Sequence, residues 1–358
     1  MKLYIDSGLT IEKTGGIGQY TLALYSTLKE IVKDQDLKVE INLASSSFLR
    51  FFPKITKRIL YLFWLNFMLP FKLWLGKYDV AHFTNFAIPF FKLGKKCRYV
   101  ATIHDLAAWK CPETLPKLYL PYIRATIRLS LKKADVVITP ASCIKEEILE
   151  RFGHSVSPIS ICVNGVRKIF ENQQGGLKRK PHLLFVGTTE LRKNVETLIK
   201  AFSILRSNHP DLKLVIIGRP GSGDEKIHKE IEDLNLKPYV NFLGSASEEI
   251  LLQNYKDSLF LIIPSLYEGF GIPIVEAMSC GLPVVASDIP VFREVGDAAI
   301  QYYANPTNSK NLADMLNELL NDHDKYAHMI KEGKERSKLF FWPEIAKKHL
   351  EIYNKVFC

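Results

Sequence analysis

Short apolar runs rich in β-branched residues recur along the chain, and a stretch with helical spacing of apolar positions follows each of them. Strands that alternate with helices in this way predict βαβ units and parallel sheets. Two successive series of such units predict two doubly wound, Rossmann-like α/β domains. The predicted strands of the first series are Leu3–Ile5, Val39–Leu43, Val80–Phe83, Tyr99–Ile103, Val136–Thr139 and Ile159–Val163. Those of the second series are Leu183–Val186, Leu214–Ile217, Val240–Leu243, Phe260–Ile263, Val284–Ala286 and Ile300–Tyr302.

A polar, glycine-containing stretch over residues 171–181 separates the two series and has no apolar periodicity. It predicts a linker between a first domain over residues 1–170 and a second domain over residues 182–340. The helix predicted over residues 341–358 can belong to either domain, and packing back on the first is one of the two options. The length of 358 residues agrees with two domains, because one core rarely grows past about 250–300 residues.

The segment over residues 59–75 differs from the rest of the chain because it is almost wholly apolar and aromatic. A membrane-spanning helix needs about 20 mainly apolar residues, and this run is shorter and contains Pro70 and Lys72. The cationic residues that flank it are typical of a helix that lies in a membrane interface. A pair of helices buried in the first domain would have the same composition. The sequence leaves both interpretations open.

The strongest candidate for chemistry contains two glutamates, Glu268 and Glu276, on either side of a glycine-rich loop. A predicted strand ends just before this loop, and Pro273 stands where a helix would begin. The backbone N–H groups of such a loop and the positive end of the helix favour an anion such as a diphosphate. The two carboxylates would then accept hydrogen bonds from hydroxyl groups, which sugars and riboses supply. The loop residues assigned to binding this ligand are Gly269, Phe270, Gly271 and Ile272.

Three more candidate loops follow predicted strands, at the sheet edge where ligands bind in open α/β sheets. One combines a glycine with two cations, a set that suits a diphosphate. His82, at the end of another strand, is a weaker candidate for the lining of an acceptor cleft. The assigned residues are Gly15, Gly16 and Gly18 after the first strand, His104 after the fourth, and Gly187, Arg192 and Lys193 after the seventh.

The formal net charge of +10 favours anionic partners. The basic residues are scattered and not interleaved with aromatic residues, so nucleic acid is not expected as a partner. The six cysteines form no CxxC pair, which excludes a zinc or disulfide framework and indicates a reducing compartment. The only DxD spacings, at residues 34–36 and 322–324, lie in polar stretches, and we expect neither a metal nor another cofactor. Met1–Asp6 is too short for a signal peptide.

The glutamates and the text around them resemble a known family. Residues 268–276 resemble the E-x7-E motif of the retaining GT-B glycosyltransferases of family 4, also called group 1. Residues 265–271, 276–287 and 292–295 resemble the neighbouring sequence of that family. The resemblance extends over nearly the whole chain and is most specific over residues 183–299. It is closest to the subgroup of mannosyltransferases that build bacterial surface polysaccharides, and it implies two domains that face each other across a cleft.

The family roles carry over to matching positions. The resemblance implies that Glu268 faces the donor hexose and that Glu276 hydrogen-bonds the nucleotide ribose. It implies that His104 reaches the donor sugar and that Lys193 neutralises the leaving nucleoside diphosphate. The usual arginine position after the glycine is Thr188 here, so Arg192 takes that role instead. The glycine loop of residues 15–18 would lie near the donor phosphate and the acceptor. The family's V-S pair is replaced by residues 140–142, which leaves no contact assigned there.

These expectations describe a metal-independent hexosyltransferase with a GDP- or UDP-linked donor, mannose being the favoured sugar. The acceptor would be a glycan or a lipid-linked saccharide, held by the first domain, while the second domain holds the donor. We expect a cytoplasmic protein, with residues 59–75 as a peripheral contact to the inner face of the plasma membrane. The alternatives are a sugar-nucleotide epimerase or phosphorylase on the same fold, and a non-catalytic protein that binds anionic lipid or nucleic acid.

Overall fold

The computed structural model describes residues 1–6, 16–34, 40–44, 60–94, 96–173 and 179–358. The chain divides into two compact units. Unit one comprises Met1–Trp109, Lys117–Gly165 and Trp342–Cys358, and unit two comprises Lys110–Pro116 and Val166–Phe341.

Unit one contains a six-stranded parallel sheet with the order β2-β1-β3-β4-β5-β6. Its central strands are buried on both faces, as expected for a parallel sheet covered by helices. The strands are β1 (Lys2–Asp6), β2 (Glu40–Ala44), β3 (Val80–Phe83), β4 (Arg98–Thr102), β5 (Val136–Thr139) and β6 (Ile159–Ile161). The helices are α1 (Gly16–Asp34), α2 (residues 60–75), α3 (Ala107–Lys110), α4 (Leu120–Lys133), α5 (Ser142–Phe152) and the last helix of the chain, α13 (Trp342–Phe357).

Unit two contains a second six-stranded parallel sheet, with the order β12-β11-β10-β7-β8-β9. The strands are β7 (His182–Val186), β8 (Lys213–Ile217), β9 (Val240–Gly244), β10 (Phe260–Ile263), β11 (Val284–Ser287) and β12 (Gln301–Tyr303). The helices are α6 (Val195–Arg206), α7 (Asp224–Asp233), α8 (Glu248–Asp257), α9 (Ile272–Ser279), α10 (Pro290–Gly296), α11 (Ser309–Asn321) and α12 (His323–Ser337). Strands occur at all the predicted places, although Val39 lies outside the described residues. The predicted α/β class with two Rossmann-like units is confirmed.

The chain passes from unit one to unit two between Gly165 and Val166, before the predicted boundary at residue 170. The reason is that the residues after Gly165 already make contacts of unit two. The amide of Val166 donates to the carbonyl oxygen of Phe340 at 2.8 Å, and the buried ring of Phe170 packs edge-on against Tyr255. Part of the predicted linker, residues 174–178, lies outside the described residues.

Helix α13 packs within unit one, against α1. Trp342 and Tyr353 share one hydrophobic core with Tyr20. Gly165 permits this packing, because a Cβ atom at that position would lie 2.5 Å from the indole ring of Trp342.

Helix α2 presents one apolar face to the core and another to solvent. Leu65, Leu69 and Leu73 are buried. The helix widens into a π-helical turn over Trp64–Met68, directly before Pro70, whose ring nitrogen cannot donate a hydrogen bond. The exposed aromatic side chains of this region are Phe63, Phe67, Phe71 and Trp74 on α2 together with Phe90 and Phe91, and their exposed fractions lie between 39% and 55%. We call these six residues the aromatic ridge. The interpretation as a buried helix therefore holds for one face, and membrane contact of the exposed face stays a prediction.

His82 does not line a cleft, and this prediction is wrong. Its side chain is fully buried, with Nε2 2.8 Å from the Thr102 hydroxyl and Nδ1 2.7 Å from the Tyr353 hydroxyl. Helix α13 covers the strand end that the sequence suggested was open. Within the described residues no helix combines the length and apolar character needed to cross a bilayer.

Candidate active site

The candidate site in unit two lies at the switch point of its sheet. Strands β7 and β10 are neighbours there, and the strand order runs in opposite directions on either side of them. In open α/β sheets the loops that leave the carboxyl ends of such strands form the ligand site. Residues 187–194 follow β7 and residues 264–271 follow β10, so the fold brings the two predicted loops of this unit to one place.

Asn194 joins these two loops. Its backbone adopts the left-handed conformation (φ 53°) at the start of α6. Its side-chain amide donates to the carbonyl oxygens of Pro264 at 3.0 Å and Pro306 at 2.6 Å. The amide of Leu266 also donates to the carbonyl oxygen of Arg192 at 2.8 Å. These bonds fix the cationic residues after β7 relative to the glutamate loop after β10.

Glu268 is the centre of a buried ion-pair cluster. Lys193 Nζ pairs with its Oε1, and Arg192 Nη1 donates to its Oε2 at 3.0 Å. The hydroxyl of Ser265 donates to Oε1 at 2.9 Å. Arg192 is further held by Glu190 Oε2, at 2.8 Å from its Nε. Three of the four residues predicted to be catalytic therefore contact one another, and both cations are largely buried rather than solvated.

The protonation state of Glu268 follows from these contacts. Burial by itself would raise the pKa of this carboxyl, but the charges of Lys193 and Arg192 and the bonds from Lys193 and Ser265 lower it to about 2. Glu268 is therefore ionised at neutral pH, with its charge balanced before any ligand arrives.

The loop between the two glutamates has the predicted features of an anion site. Gly271 has a φ of 104° and precedes α9, with Pro273 in its first turn. Gly269, Phe270 and Gly271 are buried, and in the part of the chain that the structure describes no hydrogen bond engages their backbone N–H groups. Because buried N–H groups are normally paired, these three donors at the start of α9 favour an anionic ligand. Ile272 follows as the first helical residue.

Glu276 lies one turn into α9 and has its own set of partners. Arg167 Nε donates to its Oε1 at 2.7 Å, and the Tyr255 hydroxyl donates to its Oε2 at 2.9 Å. The carboxylate is almost fully buried. Burial by itself would lower the pKa of the Arg167 guanidinium, but the Glu276 carboxylate raises this pKa above its ordinary value. Sequence reasoning missed Arg167 and Tyr255, because neither stands in a motif; Ser265 was read only as part of the glutamate motif.

The remaining predicted residues flank both sheets. Gly187 follows β7, and a Cβ atom at that position would lie 3.8 Å from Cε of Lys193. In unit one, Gly16 and Gly18 form the first turn of α1, while Gly15 lies outside the described residues.

His104 follows β4, and its Nε2 donates to the carbonyl oxygen of Thr84 at 2.9 Å. Burial lowers its pKa, although the bond to Thr84 works in the opposite direction. The ring is therefore neutral, with Nδ1 as its acceptor.

Only one of the two DxD spacings, at residues 322–324, lies wholly within the described residues. Asp322 caps α12 by accepting from the amide of Lys325 at 2.9 Å, and residues 35–36 lie outside the described residues. Among the described residues no three His, Cys, Asp or Glu side chains are grouped in a way that could hold a metal ion.

Comparison with known proteins identifies the family. The profile described as "Glycosyl transferases group 1" matches residues 166–336, and the profile described as "Glycosyltransferase Family 4" matches residues 33–168. Together these two matches extend over most of the chain and meet at the crossing between the two units.

Mannosyltransferases are among the curated relatives of this chain. O-antigen chain mannosyltransferase B of Escherichia coli is 28% identical over 296 residues, which are 77% of this chain and 74% of that protein. O-antigen chain mannosyltransferase RfbU of Salmonella typhimurium is 30% identical over 211 residues, 59% of this chain and 57% of that protein.

Solved structures match over the whole chain. Sucrose-phosphate synthase from Thermosynechococcus elongatus has a TM-score of 0.78 at 21% identity and covers 100% of this chain and 99% of its own. HepE of Anabaena, solved with UDP-glucose, has a TM-score of 0.73 at 18% identity and covers 99% of this chain and 100% of its own. At these identities the likeness establishes the GT-B fold alone. Together with the two profiles, it shows that this chain belongs to the group 1, family 4 glycosyltransferases and is itself a glycosyltransferase.

Proposed function

We propose that this glycosyltransferase moves a hexose, with mannose favoured, from a nucleoside diphosphate to a saccharide or lipid-linked acceptor, with retention of anomeric configuration. The observation that carries the proposal is the cluster of Lys193, Arg192 and Glu268 beside the unpaired amides of residues 269–271. The names of the curated relatives support mannose and surface polysaccharide synthesis.

The cluster suits a reaction in which negative charge grows on a leaving diphosphate. Preorganised cations and N–H donors aimed at such charge are usually the largest single term in catalysis. Lys193 would turn from Glu268 toward the diphosphate, which carries more negative charge than one carboxylate. Released in part from that cation, Glu268 would accept hydrogen bonds from the hexose and orient it.

Two further residues would hold the donor. Glu276, fixed by Arg167 and Tyr255, would accept from the ribose hydroxyls. The neutral ring of His104 would accept a sugar hydroxyl at Nδ1. The departing phosphate would take the proton of the acceptor hydroxyl on the face where it leaves, so that no protein base is needed for retention.

A thermal-shift screen against GDP-, UDP-, ADP- and dTDP-sugars tests donor recognition, because a nucleotide that binds only the folded chain raises its melting temperature. At a hundred times its Kd, one donor should stabilise the protein by about 2.7 kcal/mol. A rise with GDP-mannose exceeding that with UDP-glucose would support mannose. No rise with any donor would contradict the proposal.

Transfer assays with the active donor test the residue roles. Glu268→Gln and Lys193→Ala should each lower kcat at least a hundredfold, roughly the effect of removing one electrostatic group at a transition state. Glu232→Gln, an exposed glutamate of the same unit, is the control and should keep the wild-type rate. Rates near wild type in either site variant would refute the assignment, and an inverted product anomer by NMR would refute retention.

The aromatic ridge of unit one supports peripheral membrane contact. Six half-exposed aromatic residues on one surface are unusual for a solvated face, and Lys72, Lys77 and Lys92 lie on the same segments. Phe67→Ser/Phe71→Ser should lower binding to phosphatidylglycerol vesicles roughly tenfold or more. The control, Ile250→Ser/Leu339→Ser, removes two equally exposed apolar side chains from unit two and should bind as wild type. Equal binding by all three proteins would argue against a membrane role.

A further inference from the structure

Three arginines of unit one converge on the ring of Trp109. The guanidinium carbons of Arg124, Arg128 and Arg151 lie 5.8, 5.5 and 5.8 Å from the centre of this indole. The distance between any two of these guanidinium carbons is therefore no greater than the sum of their two distances from the indole centre. We call these four residues the Trp109 cluster. Arg124 and Arg128 are one turn apart on α4, and Arg151 lies at the end of α5.

The positive charges of the cluster have no counter-charge in the described residues. No carboxylate there lies within salt-bridge distance of the three guanidinium groups, and their one hydrogen bond runs from Arg124 Nε to the carbonyl oxygen of Ala108 at 2.9 Å. Arg128 and Arg151 are exposed. The face of an indole attracts cations but carries no net charge. Because three guanidinium groups gathered around one ring without a carboxylate partner suit the oxygens of a phosphate, the cluster has the chemistry of an anion site.

The cluster lies close in sequence to the candidate site of unit one. Helix α3, which carries Trp109, begins directly after the loop of His104, and the amide of Trp109 donates to the carbonyl oxygen of Leu106 at 2.8 Å. The cluster is therefore close along the chain to His104, the residue proposed to contact the donor sugar.

Helix α4 connects the cluster to the aromatic ridge. Lys133, at the end of α4, donates from Nζ to the carbonyl oxygen of Phe90 at 2.9 Å. From Arg124 to Lys133 the helix rises about 14 Å, at 1.5 Å per residue. Helix α4 thus carries two arginines of the Trp109 cluster in its first half and contacts the aromatic ridge at its last residue.

We infer that the Trp109 cluster binds the phosphate or diphosphate group of a lipid-linked acceptor, whose apolar chain follows α4 toward the aromatic ridge. The inference rests on the proposed function and narrows its acceptor class. A free saccharide has no group that needs three arginines, whereas a prenyl-type diphosphate matches both the charge and the apolar surface.

The test measures binding of farnesyl diphosphate by calorimetry to the full chain. Lys193→Ala is the common background, since it removes the cation of the proposed donor site. Arg128→Gln/Arg151→Gln is the test variant, and Arg124 is kept because its bond to Ala108 supports the fold. Lys229→Gln/Lys331→Gln removes the same charge from exposed positions of unit two and is the matched control. Farnesol and inorganic pyrophosphate are the comparison ligands.

We expect the Kd for farnesyl diphosphate to rise at least tenfold in the arginine variant and less than about twofold in the lysine control, at physiological ionic strength. Farnesol should bind all proteins alike, and pyrophosphate should bind more weakly than the farnesyl compound. An unchanged Kd in the arginine variant would overturn the inference. Equal affinity for pyrophosphate would also overturn it, because this result indicates a site for a free anion. The inference would likewise fail if the arginine variant lost binding only to phosphatidylglycerol vesicles, because this result indicates a site for a membrane head group. The measurement involves no sugar transfer, so its failure is separate from failure of the proposed reaction.

Discussion

Protonation of Glu268 is expected to destabilise unit two at acid pH. The pKa of this carboxyl falls from an ordinary value of 4.5 to about 2, because the cations beside it outweigh the effect of burial. A group with a lowered pKa in the folded state stabilises fully above its unfolded pKa, and this contribution is lost as the pH falls from about 4.5 to about 2. Each pKa unit is worth about 1.4 kcal/mol, so the loss is roughly 3 kcal/mol.

The assay needs a probe of unit two alone. All four tryptophans lie in unit one, so their fluorescence does not follow unit two. Hydrogen exchange of peptides from β7 and β10 in increasing urea gives its free energy of unfolding. Between pH 5 and pH 2.5 the wild type should lose roughly 2.4 kcal/mol more than Glu268→Gln, which has no titrating group at this position.

The result that would refute this reasoning is a constant stability difference between wild type and Glu268→Gln over that pH range. It would mean that the carboxyl has an ordinary pKa and that the ion pairs do not persist in solution. Glu232→Gln, with an exposed side chain, controls for the general effect of losing one carboxylate and should follow the wild-type curve.

Three further predictions concern the packing around the site and the core of unit one. Arg167→Met leaves Glu276 buried without its cation and should lower the unfolding free energy of unit two by about 3 kcal/mol. Adding Glu276→Gln should recover part of this loss, and strictly additive effects of the two substitutions would contradict the pairing. Gly271→Ala should lower the unfolding free energy of unit two by about 1–3 kcal/mol in the same exchange assay, because φ is 104° and the new Cβ would lie 2.9 Å from a phenylalanine ring. Gly244→Ala, at φ 61° with no atom within 4 Å of the new Cβ, should lower it less, and equal losses would refute the steric argument. Burial lowers the pKa of His349 from 6.5 to about 4, so the unfolding free energy of unit one should fall by about 3 kcal/mol as the pH falls from 6.5 to 4. Tryptophan fluorescence in increasing urea measures this free energy. His349→Phe should flatten this part of the curve of stability against pH, and an unchanged slope would show that the imidazole is not buried in its neutral form.

The strands could be predicted from sequence because most are short, largely apolar runs, and the central ones, β3, β5, β10 and β11, are buried on both faces. Their order could be expected because alternation with helices permits few other topologies. The crossing point between the units could not be predicted, since it depends on where Phe170 packs. Its partner Tyr255 is distant in sequence. The place of α13 was equally open, because its apolar stripe is compatible with any core and the fit of Trp342 over Gly165 is a tertiary contact.

The chemistry of the site was predictable to the level of residue identity, but its pairing was not. Resemblance assigned Lys193 to a diphosphate and Glu268 to hydroxyl groups, whereas the structure joins them directly. Arg167 carried no local signal, because 109 positions separate it from Glu276. The prediction for His82 failed because the sequence gives a strand end but not the helix that covers it.

These pairings answer the electrostatic difficulty that the sequence raises. A carboxylate beside a bound diphosphate is repelled by it, and this site has two. Each has its own buried cation, with Lys193 and Arg192 on Glu268 and Arg167 on Glu276. Glu190 also pairs with Arg192 and Glu248 with Arg167, so these side chains carry no excess positive charge, and the amides of residues 269–271 supply the partial positive charge at the start of α9. A diphosphate would therefore meet N–H donors at the positive end of α9, while each carboxylate keeps its cationic partner and can accept from hydroxyl groups. Binding of a diphosphate requires positive charge, and acceptance of hydrogen bonds from hydroxyl groups requires carboxylates. The ion pairs allow both within one loop.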